Sequence, residues 1–123
     1  MTRINLVDPR TLHSKHLLAE YRELPRVFKL VLAAQQRGLT PDTASIPKQY
    51  VLGTGHVTFF YNKLHWLECR FLTLVEECLA RNFSVQYYSV PGTYLDHHWW
   101  GDYTPTPEAI ELNAARIKDR MPK

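Results

Sequence analysis

Phe60, Leu64, Leu67, Phe71, Leu74 and Cys78 follow one another at alternating steps of four and three. Only a helix, turning about 100° per residue, brings positions so spaced onto one face. The spacing predicts a long helix from about Val57 to Arg81 that turns this stripe onto a core. Asn82 followed by Phe83 suits a left-handed cap with an apolar residue behind it. The glycines of LGTGH, Gly53 and Gly55, lack the lysine and spacing of a phosphate loop and read as a turn before this helix.

Two further segments carry the same period. From about Ser14 to Gln36, Leu17, Leu24, Phe28 and Val31 share one stripe and Gly38 supplies a stop. Pro25, inside this helix, removes an amide donor and should bend it. A third helix starts with Thr106 as N-cap and Pro107 in the first helical position, with Ile110, Ala114, Ile117 and Met121 as its apolar face. The stretch between the first two helices is rich in turn formers, with room for one short helical turn. Residues 83 to 105 are aromatic and punctuated by prolines, an irregular segment packed over the helices by its rings. One of Trp99 and Trp100 is expected in the core, the other staying open. With 123 residues the chain accommodates one domain. The expected fold is all-α: a compact single domain of three main helices with irregular connections.

No apolar run approaches the length of a membrane span, and the N-terminus lacks a basic stretch followed by an apolar one. The expectation is a cytoplasmic monomer that does not enter a membrane. Cys69 and Cys78 lie nine positions apart in one helix, about 13 Å along its axis, too far to bridge. Cys78 belongs to the apolar stripe; Cys69 has no assigned place. The net charge of +3 is concentrated: residues 1 to 30 hold six basic and three acidic side chains, the remainder nine of each.

On the first helix, Lys15, Ala19, Arg22, Arg26 and Lys29 fall in one sector opposite the apolar stripe. Such a sector is either an ordinary solvated face or a seat for a polyanion, which would relieve the repulsion between like charges four residues apart. Glu23 stands at the sector's edge with His16 beside it two turns back. It is either a surface partner for Arg26 or a carboxylate that stays ionised among arginines and can stabilise a developing cation. The six histidines include His13 with His16 and His97 with His98, but no Cys or carboxylate group completes a ligand set, so neither metal nor cofactor is expected. His56 and His65 read as structural.

The remaining nucleophile is the N-terminus. Removal of Met1, favoured by a small second residue, would expose the α-amine of Thr2, and with a pKa near 8 roughly a tenth of it is unprotonated at pH 7. Such an amine can form an imine with a sugar aldehyde or attack an activated glycosidic carbon.

In TRINL at 2–6, HLLAEYRELPRV at 16–27, LGTGHVTFFYNKL at 52–64, EECLARNF at 76–83, GDYTPTPEA at 101–109 and the helix through Arg116, the chain resembles a known family. This is the group of small viral and bacterial pyrimidine-dimer DNA glycosylases with abasic-site lyase activity. The resemblance implies an N-terminal segment threaded between helices. It implies action on duplex DNA containing cyclobutane pyrimidine dimers or abasic sites, with Thr2 as imine-forming nucleophile and Glu23 as the essential carboxylate. It implies that Arg22 and Arg26 grip a kinked lesion site and leave the opposite adenine extrahelical, with Arg3, His16, Arg116 and Arg120 as secondary contacts. The group of Arg22, Glu23 and Arg26 would then surround the amine.

Lys15 and Lys29 complete the expected phosphate contacts. Glu68 and Cys69 stand where better-known members are basic, and no aromatic, basic tail follows Lys123, so weaker binding outside the lesion is expected. The DHHWW stretch leaves the lesion range open, ring-opened purines included. A non-enzymatic basic helical DNA-binding domain is the reading from another class; the presence of both Thr2 and Glu23 favours the enzyme.

Overall fold

Pro25 has no N–H to give to the turn before it, and at this point the first predicted helix becomes two. In the computed structural model, which describes residues 3–91 and 94–122, α1 runs Ser14–Glu23 and α2 runs Pro25–Gln36. Leu24 between them keeps helical dihedrals and its N–H still reaches the Glu20 carbonyl at 2.8 Å, so the two form a bent rod. The long helix α3 spans Leu64–Ala80 and α4 spans Pro107–Asp119. Single 3-10 turns occur at Pro9–Thr11, Thr58–Phe60 and His97–Trp99. Among the described residues there is no strand, and no helix is long and apolar enough to cross a membrane. The domain is all-α.

The expected helical start near Val57 is instead a 3-10 turn that holds Phe60, and the other five stripe residues fall in α3; all six are buried, as are Leu17, Leu24, Phe28 and Val31 of the bent rod. α1 lies against both α2 and α3. Each Leu or Phe so buried stabilises by roughly 1.5–3 kcal/mol. Asn82 takes a positive φ of 63°, its N–H bonding the Leu79 carbonyl and that of Phe83 the Cys78 carbonyl. Gly38, at φ 82°, closes α2 with the same pair of bonds to Gln35 and, through Leu39, Ala34. Both cysteines are free, Cys78 buried and Cys69 exposed.

The aromatic segment divides. Trp99 is fully buried, its indole N–H donating to Gln35 Oε1 at 3.1 Å, and Trp100 leans on Phe28 with ring centres 5.7 Å apart. Tyr87, Tyr88 and Tyr94, expected to pack over the helices, are exposed instead.

α4 begins at the predicted Pro107 with Thr106 as cap, its hydroxyl accepting from the Ala109 N–H at 3.1 Å. Its inward face is not the apolar one. Ala109 and Asn113 are buried; of the expected face Ile117 packs against the core, whereas Ile110, Ala114 and Met121 are exposed. What α4 covers is the backbone of residues 4–7, and backbone donors need an acceptor more than a hydrocarbon. Asn113 Oδ1 accepts from Leu6 N–H at 2.7 Å and Val7 N–H at 3.3 Å, while its Nδ2 donates to Asn5 Oδ1 at 2.8 Å.

Residues 4–7 therefore run through the interior between α1, α3 and α4. His56 accepts from the Ile4 N–H, and Tyr50 donates to the Ile4 carbonyl at 3.1 Å. Arg70 of α3 donates to the Val7 carbonyl and forms a two-pronged pair with Glu20 of α1, at 2.8 and 2.9 Å. Asn5 Nδ2 completes Glu20 at 2.9 Å.

Candidate active site

His16, Ala19, Glu20 and Glu23 recur at helical spacing on one face of α1. Facing them are Arg116, Ile117 and Arg120 from the end of α4, with Arg3 and Asn5 of the N-terminal segment completing the lining. These residues enclose a cleft of about 320 Å³. His16 Nε2 lies 3.1 Å from the Arg120 carbonyl and donates to it, tying the two walls together. A carbonyl only accepts, so Nε2 carries a hydrogen.

Three buried nitrogens here have no hydrogen-bond partner among the described residues: Arg3 Nη1, His16 Nδ1 and Arg116 Nε. Buried polar groups are nearly always paired, so three orphans among the residues of one cleft leave it with unmet hydrogen-bonding capacity among the described residues. Two are guanidinium nitrogens, which favour an anion. Burial, then repulsion from Arg116 and Arg120, pulls the Arg3 guanidinium below its ordinary value, and Glu23 opposes the shift. Arginine stays charged regardless, so the crowding is a standing electrostatic cost that a phosphate would relieve.

Arg22 and Arg26 are not in this cleft. With Leu18, Pro25 and Lys29 they line a second groove of about 700 Å³, closed opposite by residues of the 84–91 segment. Tyr21 holds that segment: its hydroxyl accepts from the N–H groups of Gln86 and Tyr87 at 3.0 Å each, and its ring stacks on Phe71. Arg22 and Glu23 are sequence neighbours, hence about 100° apart around α1. The expected trio of Arg22, Glu23 and Arg26 around one centre is thus divided: Glu23 shares its cleft with Arg3, His16, Arg116 and Arg120, while the two arginines sit around the rod. Lys15 is exposed and lines neither cleft. Thr2 lies outside the described residues.

Sequence reasoning missed Glu20, Arg70, Asn5 and Asn113. Two of them carried a signal, a charge inside an apolar stripe: Glu20 stands three residues after Leu17, and Arg70 three after Leu67 and four before Leu74. His56 is buried, as its structural reading requires, but His65 is exposed and pairs with Asp102, which raises its pKa. Among the described residues no three His, Cys, Asp or Glu side chains are placed to hold a metal ion.

Lys63 is half-buried, and burial lowers its pKa to about 8. Its Nζ donates to the Phe59 carbonyl at 2.8 Å and Asn62 Oδ1 at 2.9 Å, and it does not line the cleft. A family model described as pyrimidine dimer DNA glycosylase matches residues 1–88. The match includes the N-terminal segment, α1, α2, His56 and α3, and ends before α4 contributes Arg116 and Arg120.

Proposed function

Since the chain belongs to the pyrimidine dimer DNA glycosylase family, we propose that it excises the 5′ base of cyclobutane pyrimidine dimers in duplex DNA through an imine and then cleaves the strand as an abasic-site lyase. The observation that carries this reading is the gathering of Arg3, His16, Glu23, Arg116 and Arg120 around one cleft with unpartnered donors. Chain connectivity keeps the α-amine of Thr2 within about 7 Å of the Ile4 amide. Arg3, the residue between, already lines the cleft.

The amine lone pair attacks C1′ of the deoxyribose as the bond to the base breaks, the departing pair leaving with the base, which takes up a proton. Glu23 stabilises the cationic sugar and carries the amine's proton toward O4′ as the ring opens to the imine. Loss of a C2′ proton then expels the 3′ phosphate by β-elimination. Arg3 and Arg116 hold flanking phosphates. The groove lined by Arg22 and Arg26 receives the base left extrahelical on the opposite strand.

Borohydride reduction on ultraviolet-irradiated duplex should trap a covalent adduct, and its tryptic map should place the DNA on the N-terminal peptide. An adduct on Lys63 or Lys118 would overturn the nucleophile. Binding without any adduct would favour the non-enzymatic reading.

DNA affinity should depend steeply on salt. Arg3, Arg22, Arg26, Lys29, Arg116, Arg120 and Lys15 are the candidate phosphate contacts, and about five engaged at once give a log–log slope near −4 to −5. Lys15→Ala should flatten that slope by about one and leave lesion discrimination unchanged, because a phosphate contact carries no lesion information. Arg26→Ala should also reduce discrimination, since it lines the groove taking the displaced base. Competition titrations at several salt concentrations separate the two effects.

A further inference from the structure

His56 is 1% exposed and lines neither cleft, so the reaction makes no direct use of it. Its Nδ1 lies 2.8 Å from the Val51 carbonyl and must carry the hydrogen; Nε2 is then a lone pair, and it accepts the Ile4 N–H at 2.8 Å. The rings of Tyr50 and Phe60 meet it edge-on, at 5.3 and 5.9 Å. This is the N-terminal-most bond to the segment among the described residues. The bonds beyond it do not depend on it: Tyr50 donates to the Ile4 carbonyl, Leu6 and Val7 N–H donate to Asn113 Oδ1, and Arg70 donates to the Val7 carbonyl.

We propose that His56 is a positioning residue for the nucleophile: by anchoring the Ile4 amide through Nε2, it fixes where the chain delivers the amine of Thr2. This rests on the imine reading above. Losing the anchor leaves residues 5–7 and the Ile4 carbonyl, held by Tyr50, tied down but frees the Ile4 N–H, so the chain before it can shift, and a displacement of about 1 Å is enough to cost on the order of 10²-fold in rate.

The anchor works only with a neutral ring. Burial lowers the His56 pKa below 6.5, the Val51 carbonyl opposes, and the charges of Arg3 on the N-terminal segment and Arg116 on α4 lower it further. Tyr50, the other titratable group against the ring, is itself pushed up by burial and stays neutral. With the folded pKa below the unfolded one, the bond's contribution is complete above pH 6.5 and lost as pH falls toward the folded value. Protonation turns Nε2 from acceptor to donor and releases the Ile4 N–H, leaving Ile4 held only at its carbonyl by Tyr50.

The test compares the full chain with His56→Phe, which fills the space without an acceptor, and His56→Gln, whose Oε1 reaches the Nε2 position and does not titrate. On abasic-site duplex at saturation, the Phe variant should lose about 10²-fold in borohydride trapping rate, keep its duplex affinity, and exchange the Ile4 amide faster in hydrogen-exchange measurements. The Gln variant should recover most of the rate. Wild-type log rate should fall with slope one below the amine pKa and more steeply as His56 protonates; the Gln variant should lack the steeper limb. Wild-type trapping by a folded Phe variant, or a steep limb retained in the Gln variant, overturns the inference even if the Phe variant does not fold. A wild-type adduct on a lysine overturns the imine reading with it, whereas an N-terminal adduct with indifferent variants overturns the anchor alone.

Discussion

Glu23→Gln is expected to retain lesion binding and abolish strand cleavage. Glu23 is a half-buried carboxylate in the last turn of α1, in a cleft whose other charged groups include Arg3, Arg116 and Arg120. The amide fills the same volume but carries no charge to offset a cationic sugar and cannot pass a proton to O4′. Loss of electrostatic stabilisation and of general acid–base assistance together should cost roughly 10³-fold or more in single-turnover cleavage of irradiated duplex. Affinity should hold or rise, because removing a negative charge from an arginine-lined cleft can only favour a polyanion. Gel-shift titration beside the cleavage assay separates the two. Cleavage near the wild-type rate would remove Glu23 from the chemistry, and a parallel fall in affinity would assign it to binding.

The helices were legible wherever burial was apolar. The α3 stripe, the Pro25 bend, the Asn82 cap and the Thr106–Pro107 start follow from periodicity and local backbone rules that act within a few residues. Reading failed where the interior is polar. Asn113 and Glu20 look like surface residues to any apolar count, because the groups they satisfy come from residues far away in sequence, and α4 was turned the wrong way for that reason. Of the basic sector, Arg22, Arg26 and Lys29 share one groove, whereas Lys15 lines neither cleft and Glu23 at the sector's edge lines the other. This separation was not legible, since only α4 and the 84–91 segment decide which side of the rod each residue meets. The threading of the N-terminal segment was legible through family resemblance alone; nothing in TRINL's own pattern says that its backbone will be satisfied by His56, Tyr50 and Asn113.

That polar interior makes Glu20→Gln the substitution with the largest expected effect on stability. Glu20 and Arg70 are 1% and 6% exposed at their side chains. Removing one charge leaves the other buried and unpaired, which costs about 3–5 kcal/mol, a large part of the 5–15 kcal/mol typical of a whole domain. For a chain of this size the thermal midpoint should fall by about 10–20 °C. Replacing both partners, as Glu20→Leu with Arg70→Met, removes the stranded charge and in an ordinary core would be nearly neutral. Here it should recover only part of the loss. Asn5 Nδ2 loses its acceptor and the Val7 carbonyl its donor, each orphan costing about 1–3 kcal/mol. Calorimetry of the two single variants and the double variant tests this through the coupling between them. Full recovery in the double variant would mean that the N-terminal segment does not depend on the pair. Partial recovery, with imine trapping slowed in the fraction that stays folded, would mean that the same ion pair holding α1 to α3 also keeps the nucleophile's segment in its channel.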